Sequence, residues 1–79
     1  MLFPSFILQV LANTLGALHE FAYSKRTLLT MRDEKVIPVV VRVLKMTENA
    51  VLVNATRVLA VCAKEESCRR LVLFYISLC

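Results

Sequence analysis

The sequence predicts an all-α chain, a short helical solenoid of about one full repeat flanked by two partial ones. Three observations lead there. Apolar residues recur three and four apart through several stretches of the chain, the spacing of one face of a helix. No Asn-Gly or Asp-Gly pair is present to close a β-hairpin. Finally, the two ends of the chain resemble each other at a fixed offset.

The first helix is predicted over residues 8–22. Pro4 and Ser5 can open it, because proline's missing N–H is unpaired in a first turn anyway. Leu8, Leu11, Leu15, Leu18 and Ala22 form its inner stripe, widened by Ala12 and Phe21, and it ends near Tyr23 and Ser24. Gly16, the one glycine of the chain, sits inside it. It costs about 1 kcal/mol relative to alanine, and a close helix crossing would explain it. Residues 25–31 read as one or two helical turns with Leu28 and Leu29 inward. Residues 32–35, Arg-Asp-Glu-Lys, form a charged connector in which Asp33 is the expected cap of the next helix.

Residues 36–45 pose a conflict. Val39, Val40 and Val41 favour a strand by propensity. By spacing, Ile37, Val40, Val41 and Leu44 share one helical face, with Arg42 and Lys45 opposite and Pro38 harmless in the first turn. Packing overrides propensity in a buried helix, so a helix is expected. Residues 46–49 form the turn, with Thr47 as its cap, and the next helix runs over residues 50–63. Its inner face is Val51, Leu52, Ala55, Leu59 and Cys62, with Val58 alongside, while Asn54, Arg57 and Lys64 point away. A polar break at residues 64–67 leads into a last helix over residues 68–75, where Glu65 can pair with Arg69 and Glu66 with Arg70 at a spacing of four.

Composition narrows function by exclusion. Of 79 residues, 58% are apolar, too many for a disordered chain and more than a small monomer easily hides. Surplus apolar surface is either buried against a partner or neighbouring repeats, or the chain aggregates. The net charge of +4 comes from ten basic residues spread along the chain against six acidic ones. Their densest spots, Lys25-Arg26 and Arg69-Arg70, are too small for a nucleic-acid footprint. Cys62, Cys68 and Cys79 have no Cys-x-x-Cys spacing and only His19 to help them, so no metal site is expected, and free thiols suit a reducing compartment. His19 and Glu20 are adjacent and do not share a helical face, no nucleophile–base pair stands at a useful spacing, and a single glycine forbids a phosphate-binding loop. An enzyme, a cofactor and a small-molecule substrate are therefore not expected. Residues 1–18 are uncharged, but without a basic start and with Gln9, Asn13 and Thr14 interrupting them, they read as a packed helix rather than a signal or a span. Residues 71–79 are apolar nearly throughout, which reads as a chain stopped in mid-architecture.

The self-similarity is specific in position. Leu15 matches Leu59, Arg26 matches Arg70 and Leu29 matches Leu73, each at a 44-residue offset. Ile37-Pro38 opens a Val/Leu run, a polar turn follows, and Asn54-Ala55 and Val58-Leu59 lie within an Ala/Leu-rich helix. In this order of elements the chain resembles the armadillo repeat family, with the related HEAT repeat as the nearest confusion. The resemblance implies one unit over residues 1–79: the end of a preceding repeat (1–32), a central helix pair (33–64) and the start of a following repeat (65–79). Two departures stand out. The family usually has glycine just before Ile-Pro, where this chain has Glu34-Lys35-Val36. Members that bind extended basic peptides present Trp and, four residues on, Asn; the matching positions here are Asn13 and Ala17, then Arg57 and Val61, which disfavours that role.

The resemblance implies a non-catalytic protein-interaction or scaffold module, part of a larger cytoplasmic protein, with a protein partner. Asn13, Asn54, Arg57, Lys64, Arg69 and Arg70 are the candidate binding surface. The alternative is a small membrane-associated or secreted helical protein that uses its apolar N-terminal segment.

Overall fold

In a computed structural model, residues 4–78 are described, and they form five helices with no strand among them. Cys79 and the first three residues of the apolar start lie outside the described residues. α1 is Ser5–Phe21, α2 Lys25–Asp33, α3 Val36–Val43, α4 Asn49–Cys62 and α5 Glu66–Ser77. The valine run is helical: Ile37, Val40 and Val41 of α3 are buried, and α3 packs against α2, α4 and α5. That three-sided enclosure offsets the β-branched cost. Pro38 lies in the first turn, where no intrahelical donor is lost.

The inner faces follow the sequence spacing with a few exceptions. Ala12, Leu15 and Ala22 of the first stripe are buried, with Leu8, Leu11 and Leu18 packed beside them. Phe21, expected to widen that stripe, is 71% exposed instead. Six positions on from Leu15, it is rotated by about 120° out of the buried face. On α4, Val51, Ala55, Val58, Leu59 and Cys62 are buried, and so is Val61.

α1 packs chiefly on α4, and the two helices run parallel. Three levels of contact establish this. At their beginnings, Ser5, Leu8 and Gln9 share a shallow cleft with Glu48 and Ala50. Midway, the Asn54 side chain lies over Gly16 and donates from Nδ2 to the Ala12 carbonyl at 2.8 Å. At their ends, the Lys64 ammonium lies 6.0 Å from the Tyr23 ring centre. Helices joined by a short turn are ordinarily antiparallel; a parallel pair needs the chain to travel back, and α2 and α3 provide that return.

The turns after α1 and α4 are built alike. Phe21 and Cys62 end their helices, Lys25 and Glu66 begin the next, and a 41-residue step relates each pair. Ala22 N–H donates to the Leu18 carbonyl as Ala63 N–H does to Leu59, and Leu28 N–H to Ser24 as Arg69 N–H does to Glu65. Ser24 caps α2 through the Thr27 N–H, and Glu65 caps α5 through the Cys68 N–H, both at 3.0 Å. The spatial relation is thus this 41-residue step, in place of the 44-residue offset drawn from the sequence identities. A three-residue slip turns a helix by about 300°, close to a full turn, so both offsets keep buried positions on similar faces.

Three caps and pairs differ from expectation. Asp33 ends α2, where its carboxylate accepts from Arg32 Nε at 2.9 Å, and does not cap α3. The α3 cap is Lys35, which takes the left-handed conformation (φ 61°, ψ 37°). This is how the chain makes the sharp turn without the expected glycine, at a cost of about 1–2 kcal/mol. The α4 cap is Glu48, not Thr47, and makes no side-chain capping bond. Because Glu65 is used as a cap, it does not pair with Arg69; Arg69 Nη1 donates to the Ala63 carbonyl at 3.1 Å instead. Glu66 and Arg70 do pair, at 2.9 Å.

Candidate protein-binding surface

The parallel α1–α4 seam is the feature around which the candidate residues arrange. On α1, Gln9, Asn13, Gly16 and Glu20 follow one another at spacings of four, three and four. On α4, Ala50, Asn54, Arg57 and Val61 do the same. With Asn54 seated on Gly16, these two lines flank the seam. A β-carbon at position 16 would meet Asn54 Nδ2 at 3.5 Å, an ordinary contact, so the crossing is close without requiring glycine.

The candidate surface residues divide by environment. Asn54, which the spacing places outward, is half-buried between α1 and α4, and its amide is spent on the Ala12 carbonyl. Asn13 is exposed, its Oδ1 accepting from Gln9 Nε2 at 3.0 Å. Arg57 is exposed, and among the described residues its guanidinium makes no hydrogen bond or ion pair. Asn13 and Arg57 are therefore exposed residues of the two helices that form the seam, one on each, and lie outboard of the Asn54–Gly16 contact. Lys64 lies at its end over Tyr23, whose hydroxyl is 3.2 Å from His19 Nε2. Arg69 and Arg70 belong to a different region, the first two turns of α5, where each already has a partner.

A polar cluster that sequence spacing does not reveal joins α2 to α5. Arg32 donates from Nη1 to the Ser67 hydroxyl at 2.9 Å, and Ser67 donates in turn to the Glu65 carboxylate. Bonds from Ser67 and from the Cys68 N–H hold the Glu65 carboxyl down at about 2. Beneath it the Cys68 thiol donates to the Leu28 carbonyl at 3.3 Å. Burial pushes the Cys62 thiol up to about 11 and raises Cys68 as well, so both behave as small core residues rather than nucleophiles. Nothing in the local spacing of Arg32 and Ser67 announces this cluster, since the two are 35 residues apart.

Among the described residues no group of three His, Cys, Asp or Glu side chains is placed to hold a metal ion. No described helix is long and apolar enough to cross a membrane. Comparison with protein-family models, with curated proteins and with solved structures found no significant match.

Proposed function

We propose that this chain is a non-catalytic protein-binding module of armadillo-like helical repeat type, with the α1–α4 seam as its contact surface. The observation that carries the reading is the parallel pairing of α1 and α4 at a 41-residue period, repeated in the turns that follow them. A repeat stacked by translation presents equivalent positions side by side, and such surfaces suit extended or helical segments of other proteins. Beside the seam, Arg57 of α4 contributes an unspent guanidinium and Asn13 of α1 a free amide N–H pair. Arginine in such a setting is among the residue types that most often dominate an interface.

The partner is a protein segment bearing carboxylates or free carbonyls opposite Arg57. Buried free thiols at Cys62 and Cys68 suit the reducing cytoplasm. The membrane-associated alternative would have to rest on a helix lying at the surface of the bilayer, since no described helix is long and apolar enough to cross one.

The test is a peptide display selection against the folded chain, followed by affinity measurement on variants. Arg57→Ala is expected to weaken selected peptides at least about ten-fold, equivalent to about 1.4 kcal/mol. Asn13→Ala should have a smaller effect, and Glu34→Ala, away from the seam, none. Binders indifferent to Arg57 and Asn13 would sink the seam as the contact surface.

A further inference from the structure

The 41-residue relation extends past the seam that is filled. Asn54 lies on the face of α4 that meets α1, and its neighbours on that face, Val51 and Val58, are fully buried. One step earlier in the chain, the same face of α1 reads Val10, Asn13 and Ala17, and all three are exposed. The converse holds for the receiving side. Ala12 and Gly16 accept Asn54, and their counterparts on α4, Val53 and Arg57, are exposed. The chain thus has one face that gives and one that receives at each end of the α1–α4 pair, and only the inner two are matched to each other.

We propose that these outer faces join in a second copy of this chain, head to tail, with the Asn13 amide donating to the Val53 carbonyl of the second copy. The geometry is the existing seam carried on by one further 41-residue step. The proposal rests on the repeat reading above and names a partner for the same helices. Charge supports the choice of occupant. Under that step Glu20 of one copy falls about one helical turn from Arg57 of the other, an opposite-charge pair across the new seam. A β-carbon at the equivalent position 16 makes only ordinary contact with Asn54, so the crossing admits the Cβ of Arg57 while the rest of that side chain has to turn out of the joint. A joint of this kind is heterologous and leaves a free face at each end, so association continues beyond the dimer.

The experiment is light scattering after size exclusion on the full chain and on two variants, Val10→Lys and Val53→Lys, with circular dichroism as the check of folding. The wild-type mass is expected to rise with concentration to at least twice that of one chain. Each variant alone should be a helical monomer, since each has lost one of the two faces. Mixed in equal amounts they should form a one-to-one dimer, the intact α1 face of one seated on the intact α4 face of the other. Ala17→Lys and Thr56→Lys disrupt the same two faces independently, should either first substitution impair folding. A wild-type chain that stays monomeric overturns the proposal, as does a mixture that forms no dimer. So does association abolished by Val10→Lys but untouched by Val53→Lys, which would mean α1 meeting α1. Peptide binding through Arg57, measured on the Val10→Lys monomer, stands or falls separately, so loss of self-association leaves the module reading intact.

Discussion

The pair α1–α2 and the pair α4–α5 have the same backbone turn and opposite surroundings. Two main-chain bonds recur at the 41-residue step, Ala22 to Leu18 with Ala63 to Leu59 and Leu28 to Ser24 with Arg69 to Glu65, while the second turn adds Lys64 N–H to Val61 and Glu65 N–H to Cys62. Yet the first is capped by a neutral hydroxyl, Ser24, and the second by a carboxylate, Glu65, tied through Ser67 to Arg32. The helices before the turns differ in the same way. Val58 of α4 is fully buried, whereas its counterpart Ala17 of α1 is open to solvent. Backbone geometry in this chain is repeated; burial and electrostatics are set by what lies next to each copy. Equivalent position at the 41-residue step therefore does not determine a residue's energetic weight, and the neighbour does.

The strongest way to break the comparison is to place a charge at its two equivalent positions. Val58→Asp buries an unpaired carboxylate and should cost more than about 3 kcal/mol, enough to unfold a small domain. Ala17→Asp should cost no more than about 1 kcal/mol in the dilute monomer, the helix-propensity loss of an exposed site. Urea denaturation followed by circular dichroism reads both, and similar losses would mean that α1 is covered in solution much as α4 is. Next in size is the joint between the two pairs. Lys35→Gly relieves the left-handed backbone and should raise stability by about 1 kcal/mol. Lys35→Val, β-branched at the same φ, should lower it. Glycine with no gain would mean that the turn relaxes in solution.

The caps sharpen the comparison. Ser24→Ala should cost about 1 kcal/mol at every pH. The Glu65 cap is pH-dependent, because its carboxyl is lowered from 4.5 to about 2 in the folded chain. Its stabilisation is complete above 4.5 and is lost as the pH falls from there toward 2. Thermal melts of the wild type and Glu65→Gln should therefore differ most at neutral pH and converge on acidification. A gap that stays constant through that acid range would remove the charge from the account of this turn.

The helical character and inner faces of the chain are legible in the sequence, even at Val39, Val40 and Val41, because spacing of apolar residues reports burial and burial decides helix against strand here. The caps are less so. Asp33 has the right chemistry for a cap, but the chain continues α2 through it and reverses at Lys35, a conformation that the residue type does not suggest. The repeat offset read from the first identities differs from the spatial one by nearly a helical turn. Leu11 and Leu52, Asn13 and Asn54, Leu18 and Leu59, and Ala22 and Ala63 are identical pairs at the 41-residue step, and they carry the spatial relation. Among them Asn13 and Asn54 are the informative pair: the same residue in the same register, one binding a neighbouring backbone and the other free to do so. Asn54 reads as solvent-facing because polar side chains are ordinarily assigned outward, and a single well-placed carbonyl, that of Ala12, reverses the assignment.

Cys62 and Cys68 make the molecule its own recorder of opening. Both thiols are fully buried, and burial suppresses their ionisation, leaving little thiolate at neutral pH. An alkylating reagent reaches them only when α4 or α5 swings free of the core, so each reaction rate counts excursions of its own helix. Equal rates would mark the two helices as one cooperative unit; a faster Cys68 would show α5 peeling away first, carrying off the Leu28 contact while α1 and α4 stay joined.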